Sequence, residues 1–152
     1  FREVNGGQDP VRNFVTLHEN CRLFLHEFWA NYQYKHEFNP PHWHGGLYSF
    51  VIWMKIPYSW HEQVQLPQFQ TTKIEDRKAG MFEFEYADTR GETRSLSYQL
   101  SPEFEGCMCF FPAWMRHAVY PFFDTDEERV SISGNVWYDT GTPSSGKGFG
   151  KK

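Results

Sequence analysis

The stretch Arg129-Val130-Ser131-Ile132-Ser133-Gly134-Asn135 has an uninterrupted period of two, with a polar side chain at every odd position and apolar residues or glycine between them. Successive side chains of a β-strand point to opposite faces, so the pattern predicts a strand with one polar and one apolar face. A polar face on a strand that lines a barrel needs binding partners. We therefore expect a β-fold in which this strand carries part of a binding site.

Further strands are predicted along most of the chain. Residues 81–86 and 94–100 flank a turn that contains Asp88 and Gly91, which predicts a hairpin. Residues 47–56 form a nearly continuous apolar run, typical of a strand buried on both faces. Other strands are predicted within 22–38, which the sequence Asn39-Pro40-Pro41 ends, and at 107–111, 119–123 and 129–138. Seven or eight strands with so little helix indicate an all-β-dominated fold, an antiparallel sandwich or barrel of the jelly-roll and cupin type.

The 152 residues fit one domain with a single core, which we place at 1–139. Asp9-Pro10 can cap a short helix near the N-terminus, through residues 11–17. Residues 58–79 lack clear periodicity and are expected to form a long loop over the barrel mouth. Residues 140–152 are rich in Gly, Ser and Lys, which predicts a flexible tail.

The amino-acid composition limits the functional classes to which this protein can belong. Aromatic residues make up 19% of the chain, so the core can be built largely from rings. The net charge is −4 and no basic run occurs, so electrostatic capture of nucleic acid is not indicated, although a nucleotide is not excluded as a substrate. Three cysteines do not form a disulfide framework and favour a reducing, cytoplasmic location. No apolar run approaches the length of about 18 residues that a membrane helix needs.

Three histidines form a candidate metal site. His42 and His44 are separated by one residue, so on a strand their side chains point the same way and reach one ion. His117 follows a strand that ends at Pro112, and it can supply a third imidazole. Ligating imidazoles must be neutral, so the metal should be lost at low pH. The alternative is that the His-x-His spacing arises by chance in a chain with seven histidines.

Other metal ligands are less favoured. Four histidines lack a comparable context and are interpreted as structural or exposed: His18, His26, His36 and His61. Cys107 and Cys109 share one strand face, but their apolar neighbours are more typical of packing residues than of thiolate ligands.

Arg129 and Ser131 are a candidate anion anchor. A guanidinium fork and a hydroxyl two residues later can hold a carboxylate together. The alternative is an exposed edge strand on which Arg129 pairs with the acidic turn at 124–128.

These motifs resemble a known family, the 2-oxoglutarate- and Fe(II)-dependent oxygenases of the short, often phage-encoded type. The proximal half of the resemblance is Asn39-Pro40-Pro41-His42-Trp43-His44-Gly45 followed by Ser49-Phe50-Val51-Ile52-Trp53. The more specific distal half is Phe111-Pro112-Ala113-Trp114-Met115-Arg116-His117 followed by residues 129–135. The resemblance covers the chain from about Trp29 to Asn135 and implies a double-stranded β-helix.

The resemblance also implies roles for individual residues. His42 and His117 take the two histidine positions of the facial triad, and His44 takes the position that usually holds Asp or Glu. Arg129 matches the residue that pairs with the far carboxylate of 2-oxoglutarate, and Ser131 matches its supporting hydroxyl. The implied reaction is oxidative decarboxylation of 2-oxoglutarate to succinate and carbon dioxide, coupled to hydroxylation of a substrate by molecular oxygen.

The chain departs from the family pattern at the third ligand. His44 in place of a carboxylate leaves the Fe(II) centre with one more unit of positive charge, which favours tighter 2-oxoglutarate binding or lower redox competence. A second interpretation takes His44 as the first ligand and Gly46 as a vacated carboxylate position, as in related halogenases.

Two other functional classes stay open from the sequence. One is a cupin-like metalloprotein of another reaction class, which would use the histidines but not Arg129. The other is a non-catalytic jelly-roll structural or assembly module. The sequence does not distinguish a protein side chain, a nucleotide or a small molecule as the substrate, and a homo-oligomer is possible.

Overall fold

Eight β-strands form two four-stranded antiparallel sheets in the computed structural model, which describes residues 22–139. The strands are β1 (Arg22–Gln33), β2 (Asn39–His42), β3 (Tyr48–Lys55), β4 (Met81–Ala87), β5 (Thr93–Gln99), β6 (Met108–Pro112), β7 (Arg116–Val119) and β8 (Arg129–Asp139). Sheet 1 has the order β1-β8-β3-β6, and sheet 2 has the order β2-β7-β4-β5. The chain passes repeatedly from one sheet to the other, which is the jelly-roll arrangement predicted from the sequence.

The two sheets enclose a core rich in aromatic rings, as the composition predicts. Phe84 and Phe111 make an edge-to-face contact with ring centroids 4.8 Å apart. The buried members of this core are Val51, Trp53, Ile56, Tyr58, Phe82, Phe84, Leu100, Phe111 and Phe122. Because they come from both sheets and the connecting segments, they hold the sheets face to face.

The predicted polar strand is β8, which lies between β1 and β3 at the centre of sheet 1. Arg129 is paired with Gln33, and Ser131 with Asn31, on the neighbouring β1. The polar face of β8 therefore continues onto β1.

Three local predictions were wrong. Asn39-Pro40-Pro41 does not separate strands but belongs to β2, and β2 is an edge strand, where proline costs no ladder hydrogen bond. His44 lies beyond the end of β2, so His42 and His44 do not share one strand. The strand expected at 119–123 is instead β7, at Arg116–Val119, so His117 lies within a strand.

The segment 58–79 is not an unstructured loop. It contains the short helix α1 (Trp60–Gln63) and the single-turn 3₁₀ helices Pro67–Phe69 and Ile74–Asp76. Trp60 and Val64 form a small buried cluster with Met81 of β4, so this segment packs against sheet 2.

Three predictions lie outside the described residues: the helix through residues 11–17, the interpretation of His18 as structural or exposed, and the tail at 140–152. Within residues 22–139, no helix is long and apolar enough to cross a membrane.

Candidate metal site and anion anchor

Three histidines converge at one end of the space between the sheets. One ring nitrogen from each of His42, His44 and His117 lies within 4.8 Å of the other two. The ring centroids are 4.3 Å apart for His42 and His117, and 5.1 Å apart for each pair that includes His44. Three imidazole nitrogens at this spacing can hold one transition-metal ion.

The strands fix two of these side chains and a backbone contact fixes the third. His42, the last residue of β2, is paired with His117 of β7, so the two rings start from neighbouring positions of sheet 2. The backbone N–H of His44 donates to the carbonyl of Ala113 at 2.9 Å, which holds the extended chain beyond β2 against the β6–β7 turn. Alternation of side chains along this extended chain brings His44 to the same side as His42.

Hydrogen bonds orient two of the rings for coordination. His42 Nδ1 lies 2.7 Å from the carbonyl oxygen of Pro40, and His117 Nδ1 lies 3.0 Å from that of Met115. A carbonyl only accepts, so each Nδ1 carries the proton and each Nε2 keeps a free lone pair. Backbone carbonyls commonly set the tautomer of metal-ligating histidines in this way.

Burial favours the neutral form of His117 and of His44. It lowers the pKa of His117 to about 4, and the nearby His42 and His44 contribute to the same shift. The pKa of His44 is also lowered, by burial and by His42, while Glu27 opposes the shift. Neutral imidazoles at neutral pH are the protonation state that a metal ion requires.

A cavity of about 660 Å³ connects the histidines with the polar face of β8. Its lining includes the three histidines and also Arg129, Ser131, Ser133, Asn31, Trp53 and Phe111. No residue of the segment 58–79 lines it, so the prediction that this segment forms a loop over the barrel mouth was wrong. Trp114 is 69% exposed and is not part of the lining.

Arg129 is buried at the wall of this cavity, with 3% of its surface exposed. Its guanidinium donates to the hydroxyl of Tyr58, to Oε1 of Gln33 and to the carbonyl of Tyr120. The central carbon of the guanidinium, Cζ, also lies 5.7 Å from the ring centroids of Tyr58 and of Phe122. Among residues 22–139, no carboxylate lies within ion-pairing distance of this cation.

The pairing of Arg129 with the acidic turn is therefore ruled out. Asp126 pairs with Lys35, Glu127 pairs with Lys55, and Glu128 accepts from the hydroxyl of Tyr34. A buried guanidinium without a counter-ion is energetically costly, and it is suited to an anionic ligand.

Ser131 also faces the cavity, where a polar side chain from β1 joins it. Asn31 Nδ2 lies 3.5 Å from Ser131 Oγ and 3.3 Å from Ser133 Oγ. Asn31 and Gln33 are two residues apart on β1 and so share one face, but nothing in the sequence predicted that β1 would pair with β8. Tyr58 has no sequence signal at all.

The remaining candidates do not join the cluster. Cys107 and Cys109 are free thiols outside it. Cys109 packs against the core as predicted, whereas Cys107 is exposed, so the prediction that it is a packing residue was wrong. His26 and His36 make ring contacts with Trp137 and Phe123 instead.

The halogenase-like interpretation of Gly46 is disfavoured. His42 stands within the histidine cluster, so a third protein ligand is available. Gly46 has a φ of +113°, and a Cβ there would lie 2.8 Å from Trp137 Nε1, so packing requires a glycine at this position.

No curated protein matches this chain at a significant level. A family model described as "Putative 2OG-Fe(II) oxygenase" matches residues 27–135, a span that contains every strand except the first residues of β1 and the last residues of β8. It also contains the three histidines, Arg129 and Ser131. A match over this much of the sequence, together with the jelly-roll fold, shows that the chain belongs to this family of 2OG-Fe(II) oxygenases.

Proposed function

We propose that this protein is a 2-oxoglutarate- and Fe(II)-dependent dioxygenase that hydroxylates a substrate of unknown class. One observation carries the proposal: a buried guanidinium with no carboxylate partner among residues 22–139 lines the same cavity as three converging imidazoles. The first group suits the far carboxylate of 2-oxoglutarate, and the second suits a transition metal.

His42, His44 and His117 would hold the Fe(II). Three protein ligands would leave further coordination positions of the ion open to 2-oxoglutarate. When bound, the iron supplies the oxidative chemistry that couples decarboxylation of 2-oxoglutarate to hydroxylation. The imidazoles contribute neutral donors only, so the site keeps the full charge of the metal for the co-substrate's carboxylate and keto oxygens.

Arg129 and Ser131 would orient the co-substrate. Of the five N–H groups of a guanidinium, Arg129 uses one of Nη1 on Tyr58 and both of Nη2 on Gln33 and Tyr120, which leaves the Nε–H and one N–H of Nη1 unused. An unused N–H group can donate to a carboxylate, and the Ser131 hydroxyl on the same face of β8 can add a further hydrogen bond. Trp53 and Phe111 line the cavity and restrict water around the bound carboxylate.

An anaerobic titration tests this proposal. Adding 2-oxoglutarate to the Fe(II)-loaded protein should produce a visible metal-to-ligand charge-transfer band. Arg129→Gln should raise the Kd of 2-oxoglutarate by about 10- to 100-fold, since hydrogen bonds to charged groups contribute about 1.5–3 kcal/mol. Arg116→Gln is the matched control, because Arg116 is half-exposed and pairs with Glu85 instead. An unchanged Kd in the Arg129 variant would contradict the anchor role.

A cupin-like metalloprotein is the second candidate, and the all-histidine ligand set favours it, because no carboxylate from residues 22–139 joins the cluster. Tight metal binding without a charge-transfer band would select this alternative. A protein that retains no metal at all would instead be a non-catalytic jelly-roll module.

The substrate and the location are further parts of the proposal. The substrate would enter beside the β1–β2 turn, where Glu37, Phe38 and Asn39 line the cavity. A protein side chain, a nucleotide or a small molecule would each meet the same groups there, and succinate release measured with each class of substrate distinguishes them.

The free thiols of Cys107 and Cys109 suit a reducing compartment, so we place the protein in the cytoplasm.

A further inference from the structure

The guanidinium of Arg129 is held from behind by a residue that does not line the cavity. Tyr58 is buried, with 3% of its surface exposed, and its hydroxyl accepts a hydrogen bond from Arg129 Nη1. The same hydroxyl donates to the carbonyl of Gly80 at 2.9 Å. Both the donor and the acceptor capacity of this hydroxyl are therefore used.

We propose that Tyr58 is a positioning residue of the co-substrate anchor, which fixes the guanidinium of Arg129 so that an N–H group not used by Tyr58, Gln33 or Tyr120 can donate to the far carboxylate of 2-oxoglutarate. This inference rests on the proposed function. It assigns Tyr58 an effect on 2-oxoglutarate affinity that is exerted wholly through Arg129.

The surroundings of Tyr58 leave its hydroxyl little freedom. Its ring stacks on Phe122, with centroids 4.8 Å apart and planes inclined by 21°. Its acceptor is fixed as well, because the N–H of Gly80 donates to the carbonyl of Pro121 at 2.8 Å. The residue before Pro121 is Tyr120, whose carbonyl accepts from Arg129.

Gly80 lets the ring approach this closely. Its φ is +68°, and a Cβ at this position would lie 2.6 Å from Cε2 of Tyr58. Burial also raises the pKa of Tyr58, so the hydroxyl stays protonated and continues to donate to Gly80. A preorganised donor loses less freedom on binding, and so gives a larger net affinity.

Tyr58→Phe is the test, because it removes the hydroxyl and keeps the ring stacked on Phe122. Kd values are measured from the anaerobic charge-transfer band for 2-oxoglutarate and for 2-oxobutanoate, which lacks the far carboxylate. We expect the variant to bind 2-oxoglutarate about tenfold more weakly and 2-oxobutanoate with unchanged affinity. A purely structural role would weaken both ligands alike, and that result would overturn the inference.

Two further variants sharpen the test. Tyr98→Phe is the matched control, since Tyr98 also packs against the core and bonds through its hydroxyl, to Cys109, but lies away from Arg129. It should leave both Kd values unchanged. In an Arg129→Gln background, Tyr58→Phe should have no additional effect on 2-oxoglutarate binding, because Tyr58 acts only through the guanidinium.

The outcomes distinguish a failure of the proposed function from a failure of the positioning role of Tyr58. A wild-type protein that gives no band with 2-oxoglutarate overturns the proposed function and this inference with it. A wild-type protein that binds 2-oxoglutarate, with Tyr58→Phe equal to Tyr98→Phe or additive with Arg129→Gln, overturns the positioning role of Tyr58 alone.

Discussion

At the scale of single residues, the candidate site combines three groups that are costly to bury alone. His117 is buried in the core and contacts Phe111, with ring centroids 5.0 Å apart. His42 and His44 are half-buried at the edge of the same cavity. A neutral imidazole with one satisfied nitrogen costs much less to bury than a charged one, and its second nitrogen stays available to a metal.

His117→Ala should abolish metal retention, because it removes the most buried of the three donors and leaves two ligands. We expect metal content after anaerobic loading and desalting, measured by atomic emission, to fall from about one ion per chain to a background level. His61→Ala is the matched control, since His61 is exposed and outside the cluster. Equal metal content in the two variants would contradict the ligand role of His117.

At the scale of the elements, β8 determines the geometry of the anchor, because β1 and β3 pair with it on either side. Gly134, in its middle, lets these strands pack closely. A Cβ at this position would lie 2.6 Å from the carbonyl oxygen of Glu27 and 2.7 Å from the ring of Phe50. The glycine is therefore required by the packing of its neighbours and not by its own backbone angles.

Gly134→Ala should destabilise the fold by about 1–3 kcal/mol, since a strand backbone and a packed ring must both shift. The free energy of unfolding is measured by urea titration of the metal-free protein. Gly91→Asn is the control, because Gly91 has a positive φ that asparagine tolerates and open space around it. We expect the control to change stability by less than about 0.5 kcal/mol. A Gly134 variant as stable as wild type would show that β1 adjusts freely.

A buried carboxylate connects β4, β5 and the residues before β4. Glu83 accepts hydrogen bonds from Lys78 and Ser97, each at 2.5 Å, and from the hydroxyl of Tyr120 at 3.1 Å. Burial alone would raise the pKa of Glu83, but these hydrogen bonds outweigh it and lower the pKa below its usual value of 4.5. The folded protein thus prefers the ionised form more than the unfolded chain does.

This preference predicts a pH dependence of stability. A lowered carboxylate pKa stabilises the fold above the pKa of the unfolded chain, and the stabilisation is lost as pH falls through the folded-state pKa. We expect Glu83→Gln to be less stable than wild type at pH 7 and the difference to narrow below about pH 4.5 in urea titrations. Glu62→Gln, at an exposed position of α1, is the control. A difference that stays constant with pH would refute this account.

At the scale of the whole molecule, the candidate metal site joins distant parts of the chain. His42 and His44 flank the end of β2, while His117 lies in β7, so a bound ion would tie the β2–β3 connection to the middle of sheet 2. A ligand that binds only the folded state stabilises it by mass action.

Metal should therefore raise the thermal stability of the protein. At a Mn(II) concentration about 100 times the Kd, the added stability is about 2.7 kcal/mol, which corresponds to a rise in Tm on the order of 10 °C. Scanning calorimetry with Mn(II) and with EDTA measures the effect. His44→Ala should lose most of the shift, and His26→Ala should keep it. An equal shift in both variants would place the stabilising ion elsewhere.

The sequence by itself determined most of the strands and predicted the candidate residues. The period of two at 129–135 predicted β8, and the turn around Asp88 and Gly91 predicted the β4–β5 hairpin, because alternation and turn chemistry are local properties. The His-x-His spacing and the position of His117 predicted the three members of the histidine cluster. Local patterns were sufficient for β8, the hairpin and the His-x-His pair because each depends on neighbouring positions in the chain, whereas the meeting of His117 with that pair depends on the fold.

Only the tertiary structure decided how these parts meet. Prolines usually end a strand, and β2 forms in spite of Pro40 and Pro41 because it lies at a sheet edge. Tyr58 and Gln33 reach Arg129 from 71 and 96 residues away, through strand pairing and core packing. Such contacts depend on which strands become neighbours, and that is settled by burial of the whole aromatic core rather than by any short stretch of sequence.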